Sequence, residues 1–150
     1  MVEFKITSPE FENNKDIPKK FTCQGQDINP ILNISGVPNN AVSLALIVDD
    51  PDAPMGTWDH WIVWSIDPKL TKIDENSIPK GCIVGKNSWG KNIYQGPCPP
   101  FGKHRYFFKL FALDTKVTID KSSNKKKLED AMKEHIIAKT ELIGLYQKSK

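Results

Sequence analysis

The sequence predicts a mainly β protein, a β-sandwich with an α-helix packed against one side. Three apolar segments rich in β-branched and aromatic residues have strand character, and connections rich in proline and glycine separate them. Residues 126–150 instead carry apolar side chains at helical spacing. A chain of 150 residues is long enough for a sizeable core, so we expect one domain, residues 1–150.

The predicted strands follow in chain order. The segment "VEFKIT" (2–7) alternates weakly and predicts a short strand. Residues 42–50 and 60–67 are apolar at nearly every position, which is typical of strands buried on both faces. Residues 104–114 form the third strong strand. In the segment 60–67, simple alternation places on one face His60, Ile62, Trp64 and Ile66.

The C-terminal segment has a different periodicity. Its apolar residues lie at 128, 131, 132, 136, 142, 143 and 146, and this spacing predicts one amphipathic helix of about five turns. The preceding "SSN" offers a serine or asparagine N-cap. His135 falls near the apolar stripe, where we expect a packed or partly exposed helix histidine.

Composition excludes several classes of protein. The net charge of +3 is too small to indicate a nucleic-acid partner. The N-terminus lacks the apolar region of a secretory signal, and the longest apolar run, "LALIV", is too short to span a bilayer. We therefore expect a cytoplasmic protein with no membrane span. The lysine excess leaves peripheral membrane contact open, although a solvated surface is the simpler interpretation, and a homodimer is also left open.

The three cysteines are Cys23, Cys82 and Cys98. Their odd number and wide spacing argue against a disulfide framework and against a CxxC zinc or redox motif. Cys82 is expected to be a small, buried or half-exposed residue. Cys23 and Cys98 lie in glycine- or proline-rich loops, and whether the fold brings these loops together to form a disulfide is left open.

Two short segments place polar side chains beside residues that stiffen or shield them. "DPDAP" (50–54) carries Asp50 and Asp52 in a turn stiffened by prolines, although an acidic turn that satisfies its own amides is the simpler interpretation. "GTWDHW" (56–61) places His60 among tryptophans, where water is excluded and a hydrogen bond counts for more. A core histidine paired with a carbonyl explains that segment equally well.

The segment "YQGPCPPFGKHRY" (94–106) predicts one wall of a pocket. Its prolines have no N–H to satisfy, so the segment can line a cavity with little unmet hydrogen bonding. His104 and Tyr106, at positions i and i+2 of a strand, point to the same face. Two such donors suit an anionic oxygen, as in phosphate or carboxylate. A core tyrosine is the alternative for Tyr106 alone.

Together these segments supply donors at His60, His104 and Tyr106 and carboxylates at Asp50 and Asp52. The carboxylates make sense if they orient the imidazoles or if the ligand also carries an amine, as a phosphate–ammonium zwitterion does. A two-histidine carboxylate metal site is a weaker alternative, since no HExxH, GxSxG or P-loop motif is present. We predict no metal and no cofactor.

The chain closely resembles the phosphatidylethanolamine-binding proteins, also called Raf kinase inhibitor proteins, and in particular their short bacterial and archaeal branch. The resemblance runs through "FTCQGQDINPIL" (21–32), "SLALIVDDPDAPMGTWDHWIVWSI" (43–66), "NSWGKNIYQGPCPPFGKHRYFFKLFALD" (87–114) and "AMKEHIIAKTELIGLY" (131–146). It implies a large central antiparallel sheet flanked by a smaller one, with an anion pocket at one edge. The pocket residues that it implies are Asp50, Asp52, Pro54, Trp58, His60, Gly96, Cys98, Pro99, His104 and Tyr106.

The resemblance also implies a function without catalysis. Family members bind phosphate-like anions and phosphoryl headgroups, and some inhibit kinases or serine proteases. We therefore predict a non-enzymatic protein that binds such anions or phospholipid headgroups and regulates a partner protein. The alternative is an inhibitor of a kinase or serine protease, for which the segment "GKNSWGKN" is the best candidate for an exposed, substrate-like loop.

Overall fold

Two β-sheets and one α-helix organise residues 2–149, the part of the chain that the computed structural model describes. In chain order the elements are β1 (Lys5–Thr7), β2 (Lys15–Asp16), β3 (Leu32–Ser35), β4 (Ser43–Asp50), β5 (Trp58–Ile66), β6 (Lys72–Ile73), β7 (Ile83–Val84), β8 (His104–Leu113), α1 (Lys125–Met132) and β9 (Ile136–Tyr146). A short 3-10 turn covers Lys19–Phe21. The three strong strands lie within two residues of their predicted bounds.

The large sheet has six strands in the order β2-β9-β8-β4-β5-β7. Most neighbours are antiparallel, but β2 runs parallel to β9, with Lys15 opposite Gly144. The prediction of a purely antiparallel sheet is therefore wrong at this edge. A strand of two residues has no period of its own, so the sequence carries no signal for its direction.

The small sheet has the order β1-β3-β6 and packs over one face of the large sheet. Ile6, Ile34 and Ile73 from the small sheet share one buried cluster with residues of the large sheet, including Leu46 and Phe108. A second cluster on the opposite face joins β4 and β5 to Leu128 and Met132 of α1. This two-sided burial explains why β4 is apolar along nearly its whole length.

The predicted five-turn helix is wrong beyond Met132. Helix α1 has eight residues, begins after an N-cap in which Asn124 Oδ1 accepts from Lys127 N at 3.1 Å, and is followed by strand β9. Residues 136–146 contain several β-branched side chains, which favour strands. They pair with β8, whose backbone would otherwise lack a partner on that side. His135 lies in the connecting turn, half-buried, with Nδ1 2.8 Å from Asp114 Oδ1.

Strand β5 departs from simple alternation at two positions. The pairing with β4 passes from Trp61 to Asp59 and omits His60, and Ser65 has φ of 57°. Ile62 and Trp64 face α1, as alternation requires, but Ile66 joins the core between the sheets and His60 contacts Tyr106 on that side. The prediction that all four side chains share one face is therefore wrong. Bulges of this kind re-aim a side chain, and here they turn His60 toward the cavity described next.

Candidate functional site

A cavity of about 280 Å³ opens where three neighbouring strands of the large sheet meet. In an antiparallel sheet the end of a central strand lies beside the starts of both neighbours. Asp50 at the end of β4 therefore lies beside the starts of β5 and β8, which carry the two histidines. The lining residues are Asp50, Ala53, Pro54, Met55, Trp58, His60, Trp89, Cys98, Pro99, Pro100, His104 and Tyr106.

Eight of the ten predicted site residues line this cavity. The two exceptions are Asp52 and Gly96, which adjoin the cavity wall but do not line the cavity. The candidate residues did not include Ala53, Met55 or Trp89, whereas Pro100 belongs to the proline-rich segment that was predicted to line a cavity. In the turn that follows β4, Pro54 was predicted and Ala53 and Met55 were missed, whereas the wall that holds Trp89 was assigned to a different role.

His104 is held in a fixed orientation by a buried carboxylate. Its Nδ1 lies 2.7 Å from Asp50 Oδ2, and both side chains are less than a tenth exposed. Because an ionised carboxylate can only accept, Nδ1 donates in this bond. The other carboxylate oxygen, Oδ1, accepts from Asp52 N at 2.8 Å. Asp50 is thus occupied by these two donors, and the Nε2 atom of His104 is the one left for a ligand.

His60 faces the same cavity with the same nitrogen free. Its Nδ1 lies 2.7 Å from the Gln95 carbonyl oxygen, so this nitrogen carries the hydrogen. Burial lowers the pKa of His60 from its usual 6.5, although the Gln95 bond and the charge of Asp50 oppose this effect. The imidazole is therefore neutral at pH 7, and its Nε2 accepts a hydrogen bond unless a bound anion draws a proton onto it.

Tyr106 contributes a buried hydroxyl that has no hydrogen-bond partner among residues 2–149. Its side chain is 1% exposed and its ring packs edge-on against His60. Burial raises the pKa of Tyr106, the charge of Asp50 and the approach of its carboxylate add to this effect, and the Cys98 backbone opposes it, so the phenol remains a donor. A buried donor without a partner is costly, and a ligand acceptor in the cavity would satisfy it.

Trp89 completes an aromatic wall that the sequence reasoning missed. Its ring packs edge-on against Trp58 at 5.5 Å and against His60 at 5.2 Å. The Asn87 side chain folds the surrounding turn by accepting from Trp89 N and Lys91 N and by donating to the Ile93 carbonyl. The segment predicted to be an exposed, substrate-like loop is a turn around Asn87 with Trp89 and Gly90 exposed at its tip. The asparagine–glycine composition of "NSWGKN" was the available signal for this turn.

Asp52 connects the turn after β4 to the start of β8. It accepts from Nε and Nη2 of Arg105, both at 2.9 Å, and from the Arg105 backbone N at 2.9 Å. The Arg105 hydrogen bonds lower the pKa of Asp52 to about 2, against the opposing effect of burial. Asp52 therefore positions the cavity wall from outside, as a partner of the guanidinium, and does not face the ligand space.

Gly96 and the disulfide fix the opposite wall to the segment 21–27. Gly96 N donates to Asp27 Oδ1 at 2.7 Å, and Tyr94 Oη donates to the Phe21 carbonyl at 2.8 Å. Cys23 and Cys98 form a disulfide, which settles the question that the sequence left open. Cys82, a free thiol, is half-buried as expected.

Residues 2–149 contain neither a metal-binding cluster nor a membrane-spanning helix. No group of three or more histidine, cysteine or acidic side chains is placed to hold a metal ion. No helix in this range has the length and apolar character needed to cross a membrane.

Comparison with known proteins gives one consistent result. The family model described as "Phosphatidylethanolamine-binding protein" matches residues 7–147. The UPF0098 protein PH1269 of Pyrococcus horikoshii is 48% identical over 98% of this chain and 78% of its own length. A UPF0098 protein of Methanothermobacter thermautotrophicus is 44% identical over 92% of this chain and 95% of its own length.

Two solved structures share the fold. The phosphatidylethanolamine-binding protein homologue CT736 of Chlamydia trachomatis superposes with a TM-score of 0.94 at 42% identity, covering 97% of this chain and 98% of that one. YbcL of E. coli, described as a new member of the mammalian PEBP family, gives a TM-score of 0.92 at 31% identity, covering 99% of this chain and 100% of that one.

Proposed function

Because this chain belongs to the phosphatidylethanolamine-binding protein family, we propose that its cavity binds a phosphate-bearing anion, free or as a phospholipid headgroup, without turning it over. One observation carries the proposal: the unpartnered Tyr106 hydroxyl faces the same small cavity as the two histidines, whose Nδ1 atoms are already occupied. Three polar atoms thus converge on one space, and none of them has a hydrogen-bond partner among residues 2–149.

The arrangement suits an anion with several oxygens. Tyr106 donates an O–H to one oxygen, and each imidazole presents an Nε2–H when it is protonated. The low exposure of all three side chains strengthens these charge-assisted bonds. Trp58, Trp89 and Met55 would contact the organic part of a phosphate ester at the open end of the cavity. Regulation of a partner protein is part of the same proposal, with ligand occupancy as the signal.

The first prediction tests the residue assignment by isothermal titration with inorganic phosphate and with phosphoethanolamine. His104→Gln is expected to weaken phosphate binding by about 10- to 100-fold, because it removes a hydrogen bond to a charged ligand. His135→Gln is the control, since His135 makes a histidine–aspartate pair with Asp114 at a similar distance, half-exposed and outside the cavity. Equal affinities for the two variants would refute the assignment. A preference for phosphoethanolamine over phosphate would favour the headgroup as the natural source.

The second prediction concerns pH and uses sulfate, whose charge is constant over the range. Because a bound anion stabilises the protonated form of a histidine whose pKa lies below 6.5, sulfate affinity should rise as pH falls from 7.5 through this region. NMR titration of the His60 ring follows its protonation in the wild type. The sulfate affinity of His60→Gln over the same pH range provides the comparison. The proposal would be contradicted if His60→Gln bound sulfate with the same pH dependence as the wild type.

The inhibitor alternative remains a prediction from the family resemblance. The candidate segment is folded around Asn87, and its Trp89 side chain lies against His60 in the cavity wall. No contact among residues 2–149 favours a protease-binding loop there, so we do not propose that second function.

A further inference from the structure

Resting on the proposed function, we propose that the Cys23–Cys98 disulfide is a redox switch for the cavity. Residues 97–103, here called the lip, form the wall that carries Cys98, Pro99 and Pro100. Reduction of the disulfide releases the lip and weakens anion binding, and oxidation restores both.

The disulfide is placed where a reductant can reach it and where its loss changes the cavity. Cys23 is exposed, whereas Cys98 is half-buried and lines the cavity beside Tyr106. A dithiol reductant would attack the Cys23 sulfur as a thiolate, and Cys98 would leave as a thiolate. The second thiol of the reductant then displaces Cys23, so the reductant becomes a disulfide and the protein gains two electrons and two protons. Cys82 takes no part, because it is a separate free thiol.

Few polar contacts hold the lip. Three of its seven residues are prolines, which have no backbone donor. Within the described part of the chain, its one backbone–backbone hydrogen bond outside the strands runs from Cys23 N to the Pro97 carbonyl, at 3.1 Å. Lys103 adds an exposed ion pair with Asp16 at 3.0 Å, and such pairs contribute little. The disulfide is therefore the covalent tether of the lip to the segment 21–27, and it acts beside the packing of the buried Pro97 and Pro99 and the Gly96–Asp27 hydrogen bond that precedes the lip.

The other end of the tether is rigid. Thr22, next to Cys23, is buried, and its Oγ1 donates to the Lys19 carbonyl at 2.8 Å. Phe21 is fully buried in the core between the sheets, and Gly25 N donates to the Thr22 carbonyl at 3.0 Å. Cutting the disulfide thus separates a fixed platform from a wall that has few bonds of its own. The segment that gains conformational freedom is therefore the lip, which lines the cavity.

The size of the effect follows from the population of the binding-competent lip. If the released lip adopts the observed conformation about a tenth of the time, the apparent affinity for an anion falls about tenfold. The expected cytoplasmic location fits a switch, since disulfides in the cytosol of mesophiles are usually transient, with a catalytic or redox-sensing role.

The test uses the full chain in three forms: oxidised, reduced with dithiothreitol, and Cys23→Ser. Cys23 does not line the cavity, so the substitution removes the tether without altering the wall. Amide hydrogen exchange is measured for the lip amide, which is the N–H of residue 23 that donates to the Pro97 carbonyl, and is compared with β4 amides, which report global unfolding. Reduction should raise lip exchange by about tenfold beyond any rise in β4, and should weaken phosphate binding by a similar factor. Cys23→Ser should show the lip exchange and the phosphate affinity of the reduced protein, and dithiothreitol should change neither. Cys82→Ser should respond to dithiothreitol as the wild type does.

The results separate this inference from the function on which it rests. Oxidised protein that fails to bind phosphate refutes the anion function and its redox control together. Oxidised and reduced protein that bind phosphate equally refute the switch alone. Lip and β4 amides that change by the same factor also refute it, because the disulfide would then stabilise the whole fold without acting on the wall.

Discussion

Replacing Lys125 with methionine is expected to lower the free energy of unfolding by about 3 kcal/mol, because it leaves two carboxylates without their shared cation. The Lys125 ammonium lies 2.8 Å from Asp59 Oδ1 and 3.2 Å from Asp49 Oδ2. Asp49 is 1% exposed, and after the substitution the Lys109 ammonium, at 3.0 Å, would be the one cation of residues 2–149 that still pairs with it. Methionine keeps most of the side-chain volume, so the expected loss reflects charge and hydrogen bonding, with little contribution from packing.

Lys126, the next residue of α1, provides the matched control. Its ion pair with Asp130 spans 3.7 Å on the exposed face of the helix, where such pairs contribute about 0.5 kcal/mol or less. Urea unfolding should therefore separate Lys125→Met from Lys126→Met clearly, with similar m-values. Burial lowers the pKa of Lys125, but Asp59 and Asp49 outweigh it, so the pKa is raised and the residue stays charged. Lys125→Arg should restore part of the loss, and similar destabilisation by both methionine variants would contradict the argument.

The ion pairs of Lys125 with Asp49 and Asp59 also explain how the cavity is supported from the α1 side of the large sheet. Asp49 precedes Asp50, and Asp59 precedes His60, so each carboxylate that Lys125 contacts is next in sequence to a cavity residue. Successive side chains of a strand point to opposite faces. Lys125 therefore fixes on the α1 side the same strand ends that present Asp50 and His60 on the other side. Ser88 adds to this by donating its backbone N to the Asp59 carbonyl and accepting from Asp59 N through Oγ.

The strong strands were predictable because their signal is local. Strands β4 and β8 are long, apolar and bounded by prolines, glycines or charges, and no helical pattern competes there. The bulge at His60 was not predictable, since it depends on which residue of β4 pairs with which residue of β5. Alternation alone therefore turned the His60 side chain to the wrong face, although the residue itself was correctly assigned to the site.

The C-terminal error has a different physical origin. The spacing of Leu142, Ile143 and Tyr146 fits a helix, but Leu142 and Tyr146 also fit one face of a strand. Tertiary pairing with β8 decides between the two, and no local sequence window contains that partner. Trp89 was missed for a related reason. Its place beside His60 depends on a turn that long-range packing brings against the start of β5.

Gly96→Ala is expected to destabilise the fold by about 3 kcal/mol, at the upper end of the range for overpacking. A Cβ atom at this position would lie 2.0 Å from the Phe21 carbonyl oxygen and 2.8 Å from Asp27 Oδ1. The first contact is with backbone, which cannot rotate away as a side chain can. To relieve this clash, the backbone at Gly96 would have to move away from the segment 21–27. That movement weakens the Gly96 N–Asp27 bond and shifts the wall that carries Cys98.

Gly102→Ala is the control that separates crowding from backbone conformation. Nothing lies within 4 Å of a Cβ atom at Gly102, but its φ of +74° is unfavourable for alanine and costs about 1 kcal/mol. Urea unfolding should therefore rank Gly96→Ala as the more destabilising change, although Gly96 has an ordinary φ. Phosphate titration of the folded protein should also show weaker binding for Gly96→Ala, because its wall has moved. The opposite ranking would mean that the segment 21–27 yields easily, and that Gly96 does not hold the cavity wall in place.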